Sequence, residues 1–322
     1  MPTPANQLAV STVWASARAE EAAWLLDRMA ESGLHRLELE YRLTPALLTG
    51  IKKELRPRGL SVTSVHNYCP VPAEMPRAKA SGDLFNLADL DQEARLLAVR
   101  GTVATMELAA DLEAAAVVLH LGFVEGVGDK RVTRAAARQG DMTPDLARLL
   151  KARAQAAPRH MDALCFSLER LSERALRLGV QLGLENRFHA HQMPDFAEVA
   201  WLLERFAGAP LGYWHDTGHA QVSALAGLTP HEEWLTAYGH VLLGCHLHDA
   251  RGDDDHRPPG DGDMDWAVLC PLLLPAQIKV LEVAPGPEPQ ELAQAVEFLR
   301  GEFARAAAQA QERQQRTREA RK

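Results

Sequence analysis

Eight short apolar segments recur along the chain, and longer segments with helical periodicity lie between them. The short segments are rich in β-branched residues typical of strands, whereas apolar residues three and four positions apart mark the helices. Such alternation requires parallel strands joined by crossover helices. Eight units in 322 residues predict a closed (β/α)8 TIM barrel rather than an open doubly wound sheet. The predicted strands are residues 8–14, 36–41, 61–68, 115–122, 180–187, 211–219, 242–249 and 278–284.

Several helical segments carry start signals. Thr143 followed by Pro144 predicts a capped helix start in residues 143–155, and Thr229 followed by Pro230 predicts another. The segment VWASARAE after the first strand has no glycine, which disfavours a dinucleotide-binding loop. The other predicted helices are residues 18–31, 88–113, 161–178, 195–206 and 289–309.

The chain is predicted to form one barrel domain over residues 1–310, followed by a polar helical tail over residues 311–322. Two segments are longer than a barrel needs, residues 69–87 and 123–160. Both follow strands, so both should lie over the active-site face as lids or substrate loops. Decorative insertion is the alternative.

The amino-acid composition excludes few classes of function. Hydrophobic residues make up 47% of the chain, as in globular proteins, and the formal net charge is −8. An acidic chain disfavours broad, nonspecific binding of nucleic acid. No signal peptide or apolar stretch long enough to span a bilayer is found, so a cytoplasmic protein without membrane contact is expected. The sequence is compatible with a homo-oligomer.

Six consecutive predicted strands end in side chains that bind metals. In a parallel barrel these ends meet at one mouth, where active sites form. A single histidine after an apolar strand is usually a core residue, but six strands sharing the feature are hard to assign to chance. Neutral imidazoles with carboxylates suit Zn²⁺, Mn²⁺, Fe²⁺ or Co²⁺. The side chains are His66, His120, Glu185, Asp216, His219, His246 and Glu282.

Five motifs resemble, in order, those of the xylose isomerase-like superfamily, which includes sugar-phosphate isomerases, epimerases and endonuclease IV. They are GLENR, HDTGH, GCHLHD, DDHRPPGDGDMDW and VLEVAP. In the isomerase branch the resemblance implies a sugar-like small substrate and one divalent ion, Zn²⁺ or Mn²⁺, held by Glu185, Asp216, His246 and Glu282. The two glutamates would move a proton off and onto a carbon next to a carbonyl, assisted by His219.

The endonuclease IV branch implies up to three zinc ions. Its nine ligands would add His66, His120, His219, Asp254 and His256 to the four above. The protein would then be a phosphoester hydrolase, and nucleic acid would be a partner only in this case. The loop after the second strand lacks a DNA-reading cluster of arginines and aromatics, which favours the small substrate. A metal-binding barrel without catalysis is the third hypothesis.

Other polar residues have weaker assignments. Arg251 resembles a substrate-binding arginine of the superfamily, and Arg187 in GLENR is a candidate substrate contact. His248 shares strand parity with His246, so it should support a ligand or contact substrate rather than bind metal directly. Glu38 and Glu40 share a face of the second strand. They are either buried at the barrel mouth or simply the polar positions of an alternating strand.

Overall fold

The computed structural model describes residues 7–128 and 130–320. Eight of its strands are parallel to their neighbours and close into a barrel, in the order β1-β12-β9-β8-β6-β4-β3-β2. The predicted TIM barrel is therefore confirmed. The strands are β1 (Leu8–Ser11), β2 (Arg36–Leu39), β3 (Ser61–His66), β4 (Ala116–Leu119), β5 (Gly122–Phe123), β6 (Gln181–Glu185), β7 (Gln192–Met193), β8 (Leu211–Asp216), β9 (Leu242–Leu247), β10 (Asp249–Arg251), β11 (Asp254–Arg257) and β12 (Ile278–Leu281).

Helices cover the outside of the barrel. Short 3-10 helices occur at Arg56–Arg58, Arg77–Lys79 and Gly239–Val241. The α-helices are α1 (Val13–Ser16), α2 (Ala22–Ala30), α3 (Pro45–Glu54), α4 (Gln92–Asp111), α5 (Lys130–Gln139), α6 (Pro144–Leu178), α7 (Phe196–Arg205), α8 (Thr217–Leu225), α9 (His231–Tyr238), α10 (Trp266–Leu273) and α11 (Pro289–Ala320).

Each predicted strand contains one barrel strand, but all eight observed barrel strands end earlier than predicted. The HDTGH motif shows why. Asp216 ends β8, and its carboxylate accepts a hydrogen bond from the backbone N–H of His219 at 2.7 Å. This bond caps α8, so the last three residues of the predicted strand form the first turn of a helix.

The helix start signals succeed once and fail once. Thr143 caps α6 by accepting from the Leu146 N–H at 3.2 Å, as predicted. The prediction at Thr229 and Pro230 is wrong, because α9 begins at His231 and has no side-chain cap. Pro230 has extended backbone with ψ 142° and precedes the helix. The predicted helices at 143–155 and 161–178 are one 35-residue helix. At the C-terminus α11 reaches Ala320, and residues 321–322 of the predicted tail lie outside the described residues.

The barrel interior is filled by Trp214. Its side chain is fully buried and packs with small and branched residues of neighbouring strands. A Cβ atom at Gly183 or Gly244 would overlap the indole ring, so the flanking strands leave room for it by carrying glycine. The ring of His246 lies over the indole, with centroids 5.2 Å apart. Trp214 therefore forms a packed floor beneath the barrel mouth.

Both long insertions lie at this mouth, as predicted. A cavity opens at the barrel mouth, and we call it the central cavity. Segment 69–87 contributes Ser81 and Asp83 to its wall, and segment 123–160 contributes Lys130 and Arg134. Strands β10 and β11 pair to form a mouth hairpin. Among the described residues, no helix has the length and apolar character needed to cross a membrane.

Candidate metal centre

The strand-end side chains gather at the carboxyl end of the barrel. Each is less than 9% exposed, because the surrounding strands and the two insertions cover them. Their donor atoms form overlapping groups, and within each group the atoms lie within 4.8 Å of one another. Six predicted residues belong to these groups: His66, His120, Glu185, Asp216, His246 and Glu282. The seventh, His219, lies beside them, with Nδ1 3.5 Å from Asp216 Oδ1 and 3.7 Å from Glu185 Oε1.

Three carboxylates surround the Nδ1 atom of His246. This nitrogen lies 3.0 Å from Glu185 Oε1, 3.0 Å from Glu282 Oε2 and 3.6 Å from Asp216 Oδ2. The residues come from three adjacent barrel strands, β6, β8 and β9, and from the residue after β12. Three carboxylates and one imidazole at these distances match the ligand chemistry of a divalent transition metal. We call this group the four-donor set.

The electrostatics of the four-donor set favour a cation. Burial opposes a charge on His246, but Glu282 and Glu38 raise its pKa well above the ordinary value. Burial likewise opposes ionisation of Asp216, but His219 and His248 beside it hold its pKa well below the ordinary range. The carboxylates are thus ionised. Their negative charge holds a proton on His246, and a divalent ion bound there would replace that proton.

Glu38 orients His246 from the other side. Its carboxylate oxygens lie 3.1 and 3.3 Å from His246 Nε2, and it accepts a hydrogen bond from Ser64 Oγ at 2.8 Å. With Nε2 donating to Glu38, Nδ1 faces the other three donors and would supply its lone pair to a metal that replaces the proton. Carboxylates commonly support metal-binding histidines in this way. Glu38 and Glu40 are both fully buried, so they are buried residues of the barrel mouth and not the exposed polar positions of an alternating strand.

A second donor group consists of His66, His120 and Glu185. His66 Nδ1 bonds the backbone oxygen of Asn67 at 2.8 Å, and His120 Nδ1 bonds Asp83 Oδ1 at 2.8 Å. Each Nδ1 therefore carries a proton, and Nε2 is the nitrogen that faces Glu185 Oε2, at 3.8 Å for His66 and 2.8 Å for His120. We call these three residues the second donor set.

A third group joins Asp216 and Glu282 to His248 and His256. His248 Nδ1 accepts the backbone N–H of His256 at 2.9 Å, so its proton is on Nε2, 2.9 Å from Asp216. Both nitrogens of this neutral ring are engaged, which fits a supporting role and leaves no lone pair for a metal. His256 is on the mouth hairpin, with Nε2 3.8 Å from Glu282 Oε2.

The structure does not bring Asp254 to the centre. Its side chain is 69% exposed and forms an ion pair with Arg257 at 2.7 Å. The D-x-H spacing places Asp254 and His256 on one face only if the strand stays extended, but His256 has φ +60°. Asp255 takes the inward place instead, 9% exposed and 3.3 Å from His256 Nδ1. Asp254 is therefore corrected to a surface residue.

Of the two candidate substrate arginines, only Arg187 reaches the cavity at the barrel mouth. Arg251 is 56% exposed and pairs with Asp261 at 3.2 Å on the outside of the mouth hairpin, so it does not reach the centre. Arg187 is 7% exposed and lines the central cavity. His219 also lines this cavity, and burial lowers its pKa to about 4. Its Nδ1 bonds the Asn186 carbonyl oxygen at 3.0 Å, which leaves Nε2 as an acceptor.

Sequence reasoning missed Asp83 and Asp255. Asp83 lies in the first insertion, 37 residues from the histidine that it orients, and no local pattern marks it. Asp255 lies within a run of three aspartates, and the resemblance to endonuclease IV pointed to its neighbour Asp254. The side chains at the barrel mouth line a cavity of about 270 Å³, which is at the small end of ligand pockets.

The chain matches one family model, and many solved structures have a similar fold. A family model described as "Xylose isomerase-like TIM barrel" matches residues 26–302. A D-tagatose 3-epimerase-like protein is 18% identical with TM-score 0.66, and covers 94% of this chain and 99% of its own. The 3-keto-D-glucoside 4-epimerase of E. coli is 17% identical with TM-score 0.66, at 92% and 99% coverage. These two likenesses show the fold.

One solved structure has higher identity. The TTHB071 protein from Thermus thermophilus, soaked with ZnCl2, is 25% identical with TM-score 0.56, and covers 92% of this chain and 98% of its own. No curated protein sequence matches this chain.

Proposed function

Because the chain belongs to the xylose isomerase-like TIM barrel family, we propose that it is a divalent-metal-dependent isomerase or epimerase of a sugar or sugar phosphate. The observation that carries the proposal is the buried four-donor set at the barrel mouth, beside a cavity of small-molecule size. Solved neighbours named as epimerases support the same class of chemistry. The ligand types suit Zn²⁺ or Mn²⁺.

Two carboxylates would transfer the proton. Glu185 and Glu282 both line the cavity, and each lies 3.0 Å from His246 Nδ1. One would remove a proton from the carbon next to the carbonyl, and the other would return it. A bound divalent ion would polarise that carbonyl. His219 Nε2 would accept from a substrate hydroxyl, since its other nitrogen is held by Asn186.

Exchange of hydrogen with solvent tests this proposal. The protein loaded with Mn²⁺ or Zn²⁺ is incubated in D2O with a panel of ketoses and ketose phosphates. We expect deuterium at the carbon next to the carbonyl of one substrate, together with its epimer or isomer. Tight metal binding without exchange on any member of the panel would instead support a metal-binding barrel without catalysis.

A multi-metal phosphoester hydrolase is the second candidate. It is favoured by the overlap of the donor groups, which share Glu185, Asp216 and Glu282 as two-metal and three-metal sites do. The proposed substrates would be an abasic-site duplex or a small phosphoester. Cleavage of an abasic-site duplex by the zinc-loaded protein, with no exchange on any ketose, would replace the isomerase with this function.

A further inference from the structure

Arg187 lies where a metal ion in the second donor set would lie. Its Nη1 atom is 2.6 Å from His120 Nε2 and 3.2 Å from Glu185 Oε2. These are two of the three atoms that the second donor set offers to a metal. We propose that the guanidinium of Arg187 is the resident cation of this set and excludes a metal ion from it.

The hydrogen bonds of His120 support this assignment. Its Nδ1 lies 2.8 Å from Asp83 Oδ1, so Nε2 is the nitrogen that a metal in this set would need. That nitrogen lies 2.6 Å from Arg187 Nη1 and 2.8 Å from Glu185 Oε2, so the approach to it is already occupied. The guanidinium has donors only and stays charged, and an imidazole nitrogen has one in-plane lone pair, which cannot serve a metal while the arginine lies against it. The metal and the guanidinium are therefore alternatives.

Arg187 is held firmly in this position. The side chain is 7% exposed, and its Nη2 lies 3.7 Å from Asp83 Oδ2. Asp83 is itself fixed, because Gln192 Nε2 donates to the same oxygen at 2.9 Å. One carboxylate thus orients both His120 and the arginine that bonds it. The fixed positive charge also offsets part of the negative charge of Asp83 and Glu185.

The remaining donors are too few to hold an ion alone. With His120 engaged, the second donor set retains His66 Nε2 and Glu185, whose nearest atoms are 3.8 Å apart. Structural and catalytic zinc sites use three or four protein ligands. The inference rests on the proposed function only in taking the four-donor set as the metal site. It predicts that the protein binds fewer than the three zinc ions of the endonuclease IV arrangement.

Metal counting in charge variants tests the inference. Wild-type protein, Arg187→Met and Arg187→Lys are dialysed against Zn²⁺, desalted and analysed for zinc per chain. We expect Arg187→Met to bind one ion more than wild type, because methionine keeps the aliphatic part of the side chain but lacks the guanidinium that lies against His120 Nε2. Arg187→Lys keeps the positive charge, and its count should equal that of wild type. Circular dichroism and thermal melts check that each variant is folded.

A histidine variant localises the extra ion. His120→Ala alone should leave the wild-type zinc count unchanged, and combined with Arg187→Met it should abolish the gain. The inference is overturned if His120→Ala lowers the wild-type count by one, a test that does not depend on the folding of any Arg187 variant. Equal counts in wild type and folded Arg187→Met also overturn it. These counts do not depend on turnover, so failure of the exchange assay leaves this inference standing.

Discussion

The ring of His248 stacks on the ring of His256, with centroids 4.1 Å apart and planes inclined by 14°. His248 also accepts the backbone N–H of His256 at 2.9 Å and lies 2.9 Å from Asp216. A single side chain thus joins the mouth hairpin to a member of the four-donor set. Thr217 fixes it, since its hydroxyl contacts both the N–H and the carbonyl of His248.

Replacing His248 by phenylalanine should weaken metal binding. The aromatic ring keeps the stack on His256 but loses both nitrogen contacts, so Asp216 keeps its bond from the His219 N–H and loses the one from His248. Losses of this kind cost about 10–100-fold in metal affinity. Titration with Zn²⁺ in competition with a chromophoric chelator measures the dissociation constant. An affinity equal to that of wild type would remove His248 from the support of the centre.

Gly218→Ala should displace the same ring. A Cβ atom at this position would overlap the imidazole of His248, whereas Gly239 has no heavy atom within 4 Å of the equivalent position. We expect Gly218→Ala to weaken zinc binding as His248→Phe does, and Gly239→Ala to leave the dissociation constant unchanged. Equal zinc affinity in the two alanine variants would contradict the prediction.

Glu38→Ala should also lower metal affinity, by about 10–100-fold. The variant removes the carboxylate that fixes the tautomer of His246, so its lone pair is no longer held toward the other donors. Ser64→Ala is the matched control, because it removes a hydrogen bond to Glu38 without touching His246. The same competition titration compares the two, and a larger loss in Ser64→Ala would refute the orienting role of Glu38.

Glu282→Gln should abolish proton transfer. The amide keeps the size of the side chain but cannot act as a base, so turnover should fall about 10²–10⁴-fold and deuterium exchange should fall with it. Glu302→Gln on α11 alters a buried glutamate outside the cavity and should retain turnover. Full exchange activity in Glu282→Gln would exclude this residue as the acid or base.

Acid should destabilise the protein through His231. Burial lowers the pKa of this histidine to about 4, whereas in the unfolded chain it stays near 6.5. The unfolded state therefore takes up the proton first as pH falls. The stability that the neutral ring contributes is present above pH 6.5 and is lost between pH 6.5 and 4, by at most about 3 kcal/mol.

Urea unfolding with a chelator present, between pH 7.5 and 4.5, measures this loss. The free energy of unfolding of His231→Gln should fall less steeply over that range than that of wild type. His35→Gln replaces an exposed histidine and should follow the wild-type curve. Identical slopes for wild type and His231→Gln would show that protonation of His231 does not contribute.

The barrel and most of the candidate centre were predictable because both depend on local patterns. Apolar periodicity marks strands and helices, and a parallel barrel places every strand end at one mouth whatever the loops do. His66 and Glu282 could therefore be assigned to one site although they are far apart in the chain. Helix boundaries were less predictable, as at Pro230, because capping depends on the backbone conformation of one residue.

The residue types that reach the mouth follow from the sequence, because hydrophobic periodicity marks the strand ends and a parallel barrel brings them together. How these side chains pair depends on the folded arrangement of strands and loops. Glu38 meets His246 across 208 residues, and Asp83 meets His120 across an insertion. The positive φ of His256 selects Asp255 over Asp254, and the reach of Arg187 places a guanidinium against His120. Such contacts depend on loop conformation and on which side chains meet across the barrel, and neither leaves a periodic signal in the sequence.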